Sequence, residues 1–150
     1  VRNGAAEDAP RIAAAREFLR RLQADEGEGY DESHRFYGGI GYGGDERPDL
    51  SNLQMAMEAL HASGLDSQDA AFQKALVFLR RTQNRSESHD LVLEIDGKRI
   101  RPGDDGGAAY APGESKAGMI QLPDGTEVPR SYGSMTYALL RGFLFAGLSK

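Results

Sequence analysis

Phe18-Leu19-Arg20-Arg21-Leu22-Gln23 returns sixty positions later as Phe78-Leu79-Arg80-Arg81-Thr82-Gln83, with Ala15 answered by Ala75. A unit that cannot bury its own apolar stripe must stack on copies of itself, so repetition decides the fold before any single motif does. Each copy leads to a glycine pair and a tyrosine: Gly38-Gly39-Ile40-Gly41-Tyr42 after the first, Gly106-Gly107-Ala108-Ala109-Tyr110 after the second. Each then leads to a helical segment with a matching tail, Ala62-Ser63-Gly64-Leu65 and Phe145-Ala146-Gly147-Leu148. The unit is helix, Gly/aromatic loop, helix, written twice within one domain, over about residues 10–65 and 66–150. An array usually needs about three such copies. Two therefore imply further repeats in a longer chain, or a partner surface.

The stretch Arg47 to Leu65 carries the fullest helix grammar. Leu50, Leu53, Met57 and Leu60 recur at helical spacing, with Gln54, Glu58 and His61 on the other face. Pro48 disfavours helix before it, Ser51 with Gln54 has the spacing of a capping box, and Gly64 supplies a left-handed stop. After a polar lead over residues 1–9, Asp8 and Pro10 open a first helix whose apolar positions are Ile12, Ala15, Leu19 and Leu22. Asp66-Ser67 is expected to cap a third helix reaching Gln83, with Phe72, Ala75, Leu76, Phe78 and Leu79 on a wide apolar face. From about Gly133 to Ala146 a fourth helix is apolar nearly all round, Arg141 excepted, which predicts an inner, buried helix. Between them, Leu91–Ile95 before Asp96-Gly97 and Met119–Leu122 before Asp124-Gly125 read as two short hairpins. The fold class expected is all-α, with a Gly-rich insertion carrying short β-hairpins.

Composition narrows the function. The 150 residues are 39% hydrophobic and carry a net charge of -5, with Lys and Arg scattered. A dense basic patch is needed to neutralise a phosphate backbone, so nucleic acid is not an expected partner. No stretch approaches the roughly 18 apolar residues of a membrane-spanning helix. The chain has no cysteine, so neither a disulfide framework nor a thiolate metal site is possible, and this alone leaves the compartment open. The chain begins at Val1 rather than Met, as a processed chain or an excised piece would. No Gly-x-Ser-x-Gly, phosphate loop or Cys/His nucleophile pair occurs.

The succession of Ala, Phe-Leu, Gln and a Gly-Gly aromatic resembles the repeat shared by protein prenyltransferase β subunits and squalene-hopene type terpenoid cyclases. The resemblance runs from about Ile12 to Leu148, apart from insertions near Leu91–Arg101 and Ile120–Arg130. It implies repeated helical hairpins of an α/α toroid, here partial, that bind an isoprenoid, with or without its diphosphate, in an apolar cavity. Transfer or cyclisation is the chemistry it implies. In the cyclases an Asp-x-Asp-Asp motif opens the helix that later reads Ala-Leu; alignment on Ala59-Leu60 sets Asp49-Leu50-Ser51-Asn52 there. Asp49 is thus the candidate catalytic acid, and the position of the family's proton donor holds Ser51. Gly113-Glu114-Ser115-Lys116-Ala117-Gly118 is similar to the Ser-Glu-Ser-His-Ala-Gly stretch of the prenyltransferases, whose histidine helps hold the diphosphate. Lys116 keeps the charge such a group needs. Tyr30, Phe36, Tyr37, Tyr42, Tyr110 and Tyr132 read either as the lining of an isoprenoid cavity, since aromatic faces stabilise carbocations, or as anchors packed between the repeats, and Tyr42, Tyr110 and Tyr137 are the candidate ligand contacts. The family's zinc site uses Asp, Cys and His; His34, His61 and His89 lack ligand spacing, so no metal site and no cofactor is expected.

Elementary chemistry bears on Asp49. Protonating an alkene needs a carboxylic acid held neutral by neighbouring acids, whereas a lone Asp at a helix N-terminus is stabilised as the anion. Asp49 therefore also reads as a helix cap. Asp104-Asp105 reads as a turn before Gly106. The competing reading of the whole chain is a non-catalytic helical-repeat module that binds a protein or a glycan. Ser51 and the missing zinc ligands favour it, while Lys116 and the apolar fourth helix favour a diphosphate-bearing ligand, and fold alone does not choose.

Overall fold

The computed structural model describes residues 6–43 and 47–148. Four α-helices of thirteen residues form the frame: α1 (Ala9–Arg21), α2 (Leu50–Ala62), α3 (Ala70–Thr82) and α4 (Gly133–Phe145). Between α3 and α4 lie β1 (Leu93–Ile95), β2 (Lys98–Ile100), β3 (Met119–Gln121) and β4 (Glu127–Pro129), joined into one mixed sheet of order β1-β2-β4-β3. The class is therefore mixed α and β, which corrects the expected all-α class. Both Asp-Gly turns make the hairpins read from the sequence, the first with Asp96 and Gly97 at positive φ as a tight hairpin turn requires. Joining them is the parallel pairing of Ile100 with Glu127, supported by the Arg101 amide on the Glu127 carbonyl at 3.0 Å and by the Lys98–Glu127 ion pair at 2.7 Å. That pairing spans a long loop, so no local pattern announces it.

The core lies between the second helices of the two units. α2 buries Leu50, Leu53, Ala56, Met57 and Leu60, and packs chiefly on α4, which buries Met135, Ala138, Leu139 and Gly142. α3 covers both with Phe72, Leu76, Phe78 and Leu79. Each of the buried Leu, Met and Phe side chains among them is worth roughly 1.5–3 kcal/mol of apolar burial. A Cβ at Gly142 would stand 2.9 Å from the Leu79 methyls, so α3 and α4 approach this closely only over a glycine.

The caps differ from those expected. Asp49, with extended backbone, is the N-cap of α2, accepting from the Asn52 amide at 2.9 Å, while Ser51 lies inside the first turn. Asp69 caps α3 through the Ala71 amide at 2.9 Å, and Asp66 instead forms a turn on the Gln68 amide. Gly64, at φ +83°, closes α2 as expected, with the Leu65 amide reaching back to the Leu60 carbonyl. The fourth helix is corrected as well: it is only half covered, because Tyr137, Leu140 and Leu144 point to a side where no described element lies, and they are exposed. α1 likewise buries none of its residues. Among the described residues no helix is long and apolar enough to cross a membrane.

The two units share a backbone framework. In the first, Gln23 bridges Ile40, the Ala24 amide donates to the Gly39 carbonyl at 2.8 Å, and Gln23 Nε2 donates to the Gly38 carbonyl at 2.9 Å. In the second, Gln83 bridges Ala108, the Asn84 amide donates to the Gly107 carbonyl at 2.8 Å, and Gln83 Nε2 donates to the Gly106 carbonyl at 3.2 Å.

Candidate functional site

The loop from Gly106 to Gly118 returns to the start of α2, where the Leu50 amide donates to the Tyr110 carbonyl at 2.9 Å. Beyond Tyr110 the chain reverses through Ala111-Pro112-Gly113-Glu114, the Glu114 amide donating to the Ala111 carbonyl at 3.0 Å. Proline followed by a glycine at φ +80° is the pattern of a type II turn. This reversal carries Lys116 back over Tyr110, with its ammonium 3.6 Å from the ring centroid. A cleft of about 170 Å³ results, lined by Phe36, Tyr42, Arg47, Asp49, Tyr110 and Glu114.

Charge is arranged in two groups around the cleft. Glu114 accepts from Arg35 at 2.6 Å and from Arg47 at 2.8 Å on one carboxylate oxygen, and the Arg35 guanidinium lies 4.3 Å from the Phe36 centroid. The Asp49 carboxylate is buried and committed to Asn52, taking its backbone amide on one oxygen and its side-chain amide at 2.7 Å on the other. Tyr110, beside Lys116, helps hold the ammonium's pKa above its ordinary value. Burial pushes the Tyr110 hydroxyl up, with Lys116 opposing the rise and Asp49 adding to it. The neighbouring Tyr132 is likewise raised, first by burial. All three groups stay protonated at neutral pH. The cleft thus presents the Arg47 guanidinium, phenol hydroxyls and the carboxylates of Asp49 and Glu114, with the exposed Lys116 ammonium beside it over Tyr110, so that donors suited to an anion stand among acids.

Asp49, Tyr42, Tyr110 and Lys116, although spread over the chain, are brought together here. Tyr137 is not. It lies on α4 and lines an open groove of about 540 Å³ with Gln83, Gly106, Thr136, Leu140 and Phe143. Arg35, Arg47 and Glu114 escaped the sequence reading, since nothing local predicts that two arginines 79 and 67 positions from one glutamate converge on it. Asp105 is a turn acceptor on the Gly107 amide, whereas Asp104 reaches back along the sequence to accept from the Ser86 amide. Among the described residues no group of three or more His, Asp or Glu stands together to hold a metal ion. His61 packs on Phe145, and His89 lies against the Arg81 carbonyl. Comparison of the chain with protein-family models, with curated proteins and with solved structures returned no match.

Proposed function

We propose that the chain is a ligand-binding unit built from repeats of the prenyltransferase and terpenoid-cyclase type, and that the cleft at the start of α2 takes the diphosphate head of an isoprenoid. The observation that carries the proposal is Lys116: its ammonium is exposed over Tyr110 at the mouth of the cleft and, among the described residues, pairs with no carboxylate. Arg47 stands at the same cleft, sharing Glu114 with Arg35, and a diphosphate brings enough charge to draw a second contact from it. The size of the cleft supports a head group rather than a whole ligand. Pockets enclosing a drug-sized molecule run to roughly 300–1,000 Å³, and this one is about 170 Å³. The isoprenoid tail then leaves across Phe36 and the exposed ring of Tyr42.

Asp49 has a supporting part in this reading. With its carboxylate engaged by Asn52 it fixes the first turn of α2, at the floor of the cleft beneath Tyr110. Calorimetric titration with farnesyl diphosphate and with inorganic diphosphate tests the proposal. A charge-assisted hydrogen bond is worth about 1.5–3 kcal/mol, so Lys116→Ala should weaken both ligands about tenfold to a hundredfold. Equal affinity in Lys116→Ala, or no binding by a chain that melts cooperatively, refutes it.

A further inference from the structure

The open side of the second unit can be compared, position by position, with the same side of the first, where the second unit already sits. Phe78 is 0% exposed because its ring enters beside Gly39, where a Cβ would lie 2.6 Å from it. Its counterpart Phe18 is 56% exposed. Met57 of α2 is 1% exposed, whereas Leu140, at the matching place on α4, is 56% exposed. Gln23 Nε2 donates twice, once within its own unit and once across to the Ala71 carbonyl at 2.9 Å. Gln83 makes the first of these bonds and, among the described residues, not the second. At Gly38 a Cβ would stand 1.9 Å from the Lys74 carbonyl oxygen of α3, while at the equivalent Gly106 nothing lies within 4 Å. Three positions on the second unit, Leu140, Gln83 and Gly106, thus keep the features of a seat, and the seat is open.

The chain itself carries an element that matches it. Counting sixty positions back from α3, Ala71 corresponds to Arg11, Lys74 to Ala14 and Phe78 to Phe18, all on α1, and all three are exposed. We infer that a second copy of this chain docks its α1 into the groove between Gln83 and Leu140. Phe18 enters beside Gly107 as Phe78 enters beside Gly39, and the Arg11 carbonyl accepts from Gln83 as Ala71 accepts from Gln23. Ala14 passes over Gly106, and the small side chain allows the backbone to approach. The contact is head-to-tail, one surface of the first copy on a different surface of the second, so association continues until a ring closes or a filament grows. It needs no ligand in the cleft and stands apart from the diphosphate reading.

The test is mass by light scattering over roughly 1 µM to 1 mM, the range of weak to moderate affinities. The wild-type chain should rise above the mass of one chain as concentration increases. Phe18→Glu and Leu140→Glu each remove one of the two surfaces, and each should stay at the mass of one chain. Both sites are more than half exposed, so folding is not at stake, and a thermal melt confirms it; Phe18→Ser and Tyr137→Glu serve as second variants. An equimolar mixture of the two glutamate variants retains one intact pairing and should reach the mass of two chains. A wild type that stays at one chain throughout, single variants that associate like wild type, or a mixture that stays at one chain overturns the inference.

Discussion

Replacing Gln23 by alanine probes a buried bond that bridges the two units. Gln23 is 3% exposed, and its amide donates to the carbonyls of Gly38 and Ala71, both at 2.9 Å. In Gln23→Ala the buried Gly38 carbonyl is left without that donor, a loss of about 1–3 kcal/mol for an unsatisfied group. The Ala71 carbonyl stays within the ladder of α3 and loses only an additional acceptor role, worth about 0.5–1.5 kcal/mol. The expected destabilisation is roughly 2–4 kcal/mol, and at about 2–4 °C per kcal/mol for a chain of this size the melting temperature should fall by about 5–15 °C. Gln83→Ala removes a single 3.2 Å bond at an open site and should shift it by no more than about 2 °C. Gln23→Glu keeps the shape but has no N–H to donate, so it should destabilise at least as much as alanine. Differential scanning calorimetry of the three variants is the assay. If Gln23→Ala and Gln83→Ala melt within about 2 °C of each other, the bridging bond does not hold the units together and the reasoning fails.

Asp49→Ala removes the cap of α2 and should lower stability by about 1–2 kcal/mol, whereas Asp49→Asn keeps an acceptor for the Asn52 amide and should lose only a few tenths; equal losses in chemical denaturation would deny the cap. Ser51→Ala should leave the melting temperature unchanged, because Ser51 sits past the cap, and a fall of several degrees would restore the capping box. Glu26 is held down to about 2 from its ordinary 4.5, first by the Lys74 ammonium at 2.5 Å and then by its own backbone and Tyr37. Its folded pKa is the lower one, so its contribution is complete above about pH 4.5 and is lost as pH falls toward 2. Wild type and Glu26→Gln should therefore converge in stability through that window, and parallel acid-denaturation curves would contradict the assignment.

The four helices and both hairpins were legible because each rests on short-range pattern: apolar residues at helical spacing, Pro10 near one start, Gly64 at one stop, Asp96-Gly97 in one turn. The sheet was not, because Ile100 meets Glu127 across a long loop, whose Gly113 turn lies against Leu93 and Ile95. Cap positions slipped by two or three residues where several cap-forming side chains stand close together, as Asp66, Ser67 and Asp69 do, and packing of the helix decides among them. α4 was read as buried from composition, yet composition reports what a helix would cover and not whether anything covers it. At the cleft, resemblance and aromatic pattern picked out Asp49, Tyr42, Tyr110 and Lys116. The Arg35–Glu114–Arg47 cluster is purely tertiary, and Tyr137 belongs to another face.

Arg81 has a bearing on how the chain acquires its structure. Its buried guanidinium, on α3, donates to the carbonyls of Glu32 and His34 in the loop of the first unit and is neutralised by Asp90. The His34 carbonyl also takes the Tyr37 amide, but the Glu32 carbonyl has its donor only once residue 81 has been made, and Arg81 has its counter-charge only once residue 90 has followed. During synthesis the first loop can close its local turns, but its Glu32 carbonyl is expected to stay without a partner until the third helix is released. Although the sequence repeats, these cross-unit bonds lead us to expect the units to unfold together, with the earliest opening under stress at the uncovered α1 rather than at the seam between them.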